Sequence, residues 1–303
     1  MHSAALLFFA HLVAAAPTWK LSQKLPKGSE ARREVVAEWT AKPASPGEAA
    51  LTEGEAEALL DDARAEPIYA EKTISIVAPS MITRQRQDHV DLLALFMKPE
   101  RLAAGAAFFH AHQKALDGAA ERHRVDPTVV VSILMWESRL GEETGTYVAF
   151  NTFASQAFFI DEANAEALRR PGEGKRLPAE KQAERVETIR HRARKNLAAL
   201  VRSCKAKGMD AFTVKGSWAG ALGYPQFMPA SLRWAEDGNG DGKIDLYTFD
   251  DSIASVARYL DEHGFAKSPE EAVLSYNHEG AYVKGVLGWA RALKERLEPK
   301  DAG

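Results

Sequence analysis

The sequence predicts a mainly α-helical fold with little β structure. From about residue 85 onward, apolar residues recur at spacings of three and four, the period of a helix with one buried face. Start and stop residues bracket those runs, as in Asp126-Pro127 and Gly264. Alternation of apolar and polar residues is scarce, and Thr73–Val77 is its best example.

Taken in order, residues 17–84 form a poorly patterned leader or linker. Pro17, Pro26, Pro43, Pro46, Pro67 and Pro79 punctuate it, with glycine and charge between them. Within it, Leu51, Leu59 and Leu60 can share one face of a short helix over Pro46–Ala65. The patterned domain follows at residues 85–298, with a tail at 299–303. Pro99 opens a helix carrying Leu102, Ala103, Ala106, Phe109, Gln113 and Leu116. A second starts at Asp126-Pro127, an N-cap acceptor followed by proline at the first helical position. A third covers about Glu184–Lys207, with Val186, Ile189, Ala193, Leu197, Leu200, Val201 and Cys204 on one stripe. A fourth begins near Asp250, carries Ile253, Val256, Ala257 and Leu260, and stops at Gly264 in the left-handed conformation. The last runs from about Ala281 to Leu297. No internal repeat is visible.

Composition narrows the function. The 303 residues are 46% hydrophobic and 27% charged, ordinary values for a globular chain with a sizeable core. A net charge of -3 gives no overall basic field for nucleic acid. The one cysteine, Cys204, excludes an intramolecular disulfide and a Cys-cluster metal site, and no lipobox cysteine is present. No apolar run reaches the roughly 18 residues of a spanning helix. Ala4–Ala16 is apolar apart from His11 and ends in three alanines, which reads as a signal peptide over residues 1–16 and predicts export to the periplasm. The other reading is a hydrophobic N-terminal helix or a misplaced start. Arg190, Arg192, Arg194, Lys195, Arg202, Lys205 and Lys207 read as the solvated side of the third helix rather than a phosphate site, because no aromatic residues interleave them.

Three segments carry chemistry. Glu137 follows Val130 by seven residues and Ile133 by four, so it ends the apolar face of the second helix. Burial there raises a carboxyl pKa, which suits a general acid, whereas an Arg-paired or rim carboxylate is the structural alternative. Residues 216–231 combine Gly216, Gly220, Gly223, Pro225 and Pro229 with Trp218, Tyr224 and Phe227, and with Ser217 and Gln226. Flat rings and hydrogen-bonding groups suit a carbohydrate; a turn burying its own aromatics explains the same composition. Finally, Asp237-Gly-Asn239-Gly-Asp241-Gly242-Lys243 follows the start of a calcium loop. The residue twelfth in that loop is Thr248, not the usual Glu, and Asp250 or Asp251 is placed to close the site. An unliganded turn is the alternative. Nine histidines show no zinc-hydrolase spacing, and neither a P-loop nor a dinucleotide fingerprint is present, so no organic cofactor is expected.

Together these segments resemble the lytic murein transglycosylase B family. The resemblance runs from about Pro99 to Leu293. It rests on Lys98-Pro-Glu-Arg-Leu-Ala-Ala-Gly105, Trp136-Glu-Ser-Arg-Leu-Gly141, the Lys215–Pro229 segment, the Asp237–Asp251 loop and Ser275-Tyr-Asn-His278, in the family's order. It implies a lysozyme-like catalytic domain with an EF-hand-like metal loop. It implies Glu137 as sole acid and base, and Ser217, Tyr224, Gln226, Phe227, Met228, Tyr276 and Asn277 at the glycan. Asp237, Asn239, Asp241, the Lys243 carbonyl and Asp251 are implied ligands of a structural Ca²⁺. The implied partner is the peptidoglycan glycan strand, cleaved to 1,6-anhydro products by a monomer. A hydrolytic muramidase and an inactive glycan binder are the competing readings. The stretch before Tyr276 is shorter than in some members, which implies a more open cleft.

Overall fold

The computed structural model describes residues 20–43, 45–68, 74, 76–77, 94, 96–169 and 177–298. Residues 1–16, and the tail at 299–303, lie outside these. Two hydrophobic clusters organise the chain. The first joins the short helices α1 (Leu21–Lys24), α2 (Glu30–Thr40) and α3 (Glu53–Asp61) to others from the middle of the chain.

The second cluster is built by α4 (Pro99–Ala111), α5 (Gln113–His123) and α6 (Pro127–Ser138), which meet three helices from the end of the chain. Asp126 caps α6, its Oδ1 accepting from the Thr128 amide at 2.9 Å, and Pro127 occupies the first turn. The helix expected from Pro99 through Leu116 divides at His112, whose backbone leaves the helical region (φ -115°, ψ 21°). The His112 ring lies between Phe108 and Phe249, with centroids 4.4 and 4.7 Å away, so tertiary packing overrides the local period.

A two-residue antiparallel ladder follows. In it β1 (Tyr147–Val148) pairs with β2 (Lys215–Gly216), with Tyr147 opposite Gly216. Between them run α7 (Ala149–Phe158), α8 (Ile160–Arg169) and the long α9 (Ala179–Lys207). The expected stripe of α9 from Val186 to Cys204 is buried throughout, and Gly208 ends the helix at φ +63°. A 3₁₀ turn at Pro229–Trp234 precedes α10 (Phe249–Glu262), α11 (Pro269–Tyr276) and α12 (Gly280–Leu297). α12 packs on α6 and α4. At Gly105 an added Cβ would fall 2.3 Å from Trp289, so this close crossing requires glycine. Inside the crossing, Ser132 Oγ donates to the Val286 carbonyl at 2.8 Å, which satisfies a buried hydroxyl.

Residues 21–61 are not a loose leader: their three helices belong to the core, with Trp39 packed edge-on to Phe150 at 6.1 Å. Arg32, 1% exposed, ties this layer together by donating to Glu57 (2.7 Å), Asp61 (2.8 Å) and the Leu25 carbonyl (3.0 Å). The expected strand at Thr73–Val77 also fails, since Ile74, Ile76 and Val77 are helical. Ile74 and Val77, three residues apart, pack on Ile160, Val186 and Ile189. The basic face of α9 is less solvated than expected. Arg190 pairs with Asp161 at 2.8 Å, Arg194 with Glu38 at 2.8 Å, and Lys205 with Glu55. These three cations therefore dock α9 on neighbouring helices.

Candidate active site

Glu137 is the penultimate residue of α6. Beyond it the chain turns sharply through three positive-φ residues, Arg139 (50°), Leu140 (57°) and Gly141 (91°). The Arg139 amide donates to Met135 O at 3.1 Å and the Leu140 amide to Leu134 O at 3.0 Å, which closes the helix. Left-handed backbone at Arg139 and Leu140 costs about 1 kcal/mol or more each. The result is a carboxyl group at a helix end, with the chain leading away from it.

The glycine-rich segment is pinned beside that end. At Gly145 (φ +86°) an added Cβ would lie 2.2 Å from the Gly216 carbonyl, so only glycine permits this approach. Ser217 Oγ accepts from the Ala219 and Ala221 amides at 3.3 and 3.1 Å, shaping the loop with its oxygen and leaving its proton out of these bonds. Leu222 and Phe227 exchange backbone hydrogen bonds of 2.8 and 3.0 Å around a tight turn. Gln226 sits there at φ 51°, and its Nε2 donates to Gly223 O at 2.8 Å and Thr144 O at 3.4 Å. Tyr276, at the end of α11, donates to the Pro225 carbonyl at 2.6 Å and secures the same turn.

Glu137 is half-buried, and Tyr282 Oη donates to its Oε1 at 2.6 Å. Burial pushes its carboxyl up to about 7, and the Tyr282 bond pulls in the opposite direction. Burial, with the nearby Glu137 charge, also raises Tyr282 and Tyr276 well above the ordinary phenol value, so both remain donors. Trp136 stacks on Phe96 at 4.3 Å and meets Tyr282 edge-on at 6.0 Å. Tyr282 was missed in the sequence, although it starts the stripe Tyr282, Val286, Trp289, Leu293 that α12 buries. A hydroxyl at the head of such a stripe needs a partner, which was the available signal.

The fold thus brings Tyr276 within reach of the Glu137 charge, and Tyr276 holds the turn that carries Gln226. Tyr224 is half-buried, its ring stacked on Phe249 at 4.4 Å behind Gly141. Asn277 follows Tyr276 and lines a groove with Trp218. Phe227 is turned inward: it is 2% exposed, between Tyr259 and Tyr276 at 5.6 and 5.8 Å. Met228 packs against the cluster containing α7 and α9. Both side chains therefore support the turn through packing.

The Asp237–Asp251 loop directs its acids to its own backbone. Asp237 accepts from the Gly240 and Gly242 amides at 2.6 and 2.7 Å, and Asn239 from Asp241 at 2.9 Å. Asp241 accepts from the Lys243 amide at 2.8 Å. Asp251, 1% exposed, bridges the Gly238 and Asp245 amides at 2.8 and 2.7 Å. These amides, Gly242 first, hold Asp237 below the usual carboxylate range. Among the described residues, no group of three or more acidic, histidine or cysteine side chains converges to hold a metal. The donor set is nonetheless hard oxygen, the chemistry of Ca²⁺ rather than of a redox metal.

The profile of the transglycosylase SLT domain matches residues 38–283. The chain belongs to this family. The match begins inside α2, so it takes in part of the first cluster. Over 181 residues the chain is 32% identical to the membrane-bound lytic murein transglycosylase B of Escherichia coli strain K12, covering 59% of this chain and 43% of that protein. It therefore spans less than half the length of that relative. The lytic transglycosylase SLT35 of Escherichia coli, solved in complex with bulgecin A, superposes with a TM-score of 0.66 at 18% identity, covering 89% of this chain and 94% of that one. A structure of SLT35 in complex with calcium gives 0.65 at the same identity and coverage. SltB3 of Pseudomonas aeruginosa, in complex with NAG-anhNAM-pentapeptide, gives 0.55 at 21% identity, covering 68% of this chain and 66% of that one. The fold is that of the lysozyme-like lytic transglycosylases.

Replacing Tyr282 with Phe removes a hydrogen bond that favours the Glu137 carboxylate. The alkaline limb of kcat/KM, expected near pH 7 in the parent, should move to higher pH in Tyr282→Phe. Activity at the optimum should fall roughly tenfold with the lost positioning bond. A pH–rate profile on glycan substrate checks both, and an unmoved or acid-shifted limb would refute the link.

Proposed function

We propose that this transglycosylase-family chain cleaves the β-1,4 bond between N-acetylmuramic acid and N-acetylglucosamine in peptidoglycan, with Glu137 as the single acid and base. The observation carrying this reading is the state of Glu137. It is a half-buried carboxyl raised to about 7, and burial and the Tyr282 bond account for its shift. Among the described residues no second carboxylate adds its charge to those causes, as one at the short distance of a two-acid retaining site would, and this suits a substrate-assisted reaction.

Glu137 donates its proton to the glycosidic oxygen, and the C1–O bond breaks. The muramoyl acetamido oxygen forms a bond to C1, giving an oxazolinium. Glu137, now a carboxylate, takes the proton of the C6 hydroxyl while that oxygen attacks C1 and the oxazolinium opens. The product is a 1,6-anhydro ring, and Glu137 is protonated again. Intramolecular attack gains from high effective molarity where water is kept out. Ser217, Gln226, Tyr276 and Asn277 hold the glycan, while Phe227 and Met228 shape the turn from within. Running the digest in heavy-oxygen water separates this from the muramidase reading, because only hydrolysis places the label at the new C1 terminus.

The reading extends to an exported, monomeric enzyme of the cell envelope that needs no organic cofactor, with residues 1–16 as signal peptide. No described helix is long and apolar enough to cross a membrane. In this reading Asp237, Asn239, Asp241, the Lys243 carbonyl and Asp251 hold a Ca²⁺ that ties the loop to α10, and the calcium complex of SLT35 supports it. Saturating Ca²⁺, at about 100 times Kd, should stabilise the fold by about 2.7 kcal/mol, and EDTA should reverse this. A melting temperature unmoved by either reagent would overturn the metal site.

A further inference from the structure

A cavity of about 700 Å³ lies between the C-terminal half of α9 and the stretch from Gly242 to Tyr247. Small-molecule sites typically measure roughly 300–1,000 Å³. Leu200, Val214, Leu222, Leu232, Ile244 and Leu246 give the cavity an apolar wall. Lys207 Nζ donates to the Ile244 carbonyl at 3.0 Å and ties α9 to the facing loop. Met209 and Tyr247, 49% and 37% exposed, put apolar surface at its edge. Within the wall stands Ser203, 6% exposed, on the face of α9 that also carries Leu200, Ala206 and Lys207. Its hydroxyl makes no hydrogen bond among the described residues. The other buried serines there each make one. Ser132, Ser138, Ser155 and Ser252 donate to carbonyls, and Ser255 accepts from the Glu236 amide. A buried hydroxyl without a partner is costly, and this one lines a cavity.

The chemistry of the wall selects the occupant. Cys204 lines the cavity beside Ser203, and burial pushes its thiol up to about 11, so this inner surface is uncharged. The charged lining residues Lys207, Lys243 and Asp245 are all exposed and belong to the outer side. A charge seated against Ser203 would lose its hydration with no counter-ion beside it. Two residues of the wall also anchor the glycine-rich turn. The Leu246 carbonyl accepts from the Tyr224 amide at 2.8 Å, and Leu222 exchanges two backbone bonds with Phe227 around Gln226. We infer that the cavity binds a small uncharged molecule, with an apolar body and one hydrogen-bonding group for Ser203, and that its occupancy tightens this turn. Such a site needs no glycan, so it stands apart from the peptidoglycan reading.

The test is calorimetric titration of the full chain with phenethyl alcohol and with propylbenzene, which match in size while only the first carries a hydroxyl. Each should bind at a single saturable site. Ala206→Trp, at an exposed position that lines the cavity, should lose both by filling the space, with an unchanged melting temperature. In Ser203→Ala the affinity for the alcohol relative to the hydrocarbon should fall about fivefold, the worth of one neutral hydrogen bond. The melting temperature of that variant should not drop, because no internal bond is lost. Hydrogen exchange at the Tyr224 and Phe227 amides should slow at saturating phenethyl alcohol in the parent and not in Ala206→Trp. Absence of saturable binding, binding that survives Ala206→Trp, or an unchanged affinity ratio in Ser203→Ala overturns the site. Unchanged exchange at both amides of the saturated parent overturns the link to the turn.

Discussion

Glu137→Gln is expected to lower kcat on murein by roughly 10³-fold or more, since a positioned acid–base group contributes about 10² to 10⁴ and this one acts in both half-reactions. The variant keeps the shape of the side chain and can still accept from Tyr282 Oη, so it should bind glycan and fold normally. Its stability should report the same chemistry from the other side. The folded chain holds Glu137 near 7 against 4.5 for an unperturbed carboxyl. Below pH 4.5 the group is neutral in both states and the parent loses nothing. Between 4.5 and 7 the unfolded chain releases its proton while the folded chain retains it, so parental stability falls as pH rises. Above 7 the folded group ionises as well and the loss levels off. Glu137→Gln lacks this loss and should exceed the parent by up to on the order of 3 kcal/mol above pH 7, with the gap shrinking toward pH 4.5. Urea unfolding at several pH values measures it. A variant that still digests murein at the parental rate would remove Glu137 from the mechanism.

The second large effect lies far from the site. Arg32→Ala should cost about 3 kcal/mol, the lower end for breaking a buried ion pair. The lower end applies because the side chains of Glu57 and Asp61 keep 35% and 33% of their surface and are resolvated in part. The loss should appear as a lower urea midpoint, with the first cluster loosening before the second. A change under about 0.5 kcal/mol would mean that α1–α3 hold to the domain by apolar packing alone.

That region marks where the sequence was hardest to read. α1 and α2 run to 4 and 11 residues, too short for a helical period to stand out among prolines, whereas α3 falls within the short helix expected over Pro46–Ala65. What fixes them is tertiary: Arg32 reaching between helices, and Trp39 meeting Phe150 across the cluster. From α4 onward the apolar stripes are longer, and the expected starts at Pro99, Pro127 and Asp250 lie within a residue of those observed, whereas α9 begins at Ala179, five residues before the expected Glu184. His112 is the exception, because its ring contacts form only in the folded chain.

The site divides in the same way. Glu137 was legible because an acid on a buried stripe violates the pattern around it. Gly145 and Gly216 became intelligible only once the two backbones met. Phe227 looks, by composition, like a glycan platform; its burial depends on Tyr259 and Tyr276, residues remote in sequence. Tyr282 was hidden as one more aromatic in the last helix, although its phenol holds the Glu137 carboxyl.

Mass spectrometry of the soluble muropeptides released from purified murein, before and after borohydride reduction, tests the central claim most directly. Intramolecular attack by the C6 hydroxyl predicts products one water lighter than hydrolytic ones and unchanged by borohydride. Full-mass, reducible products would show that water attacks instead, and would contradict transglycosylation by Glu137.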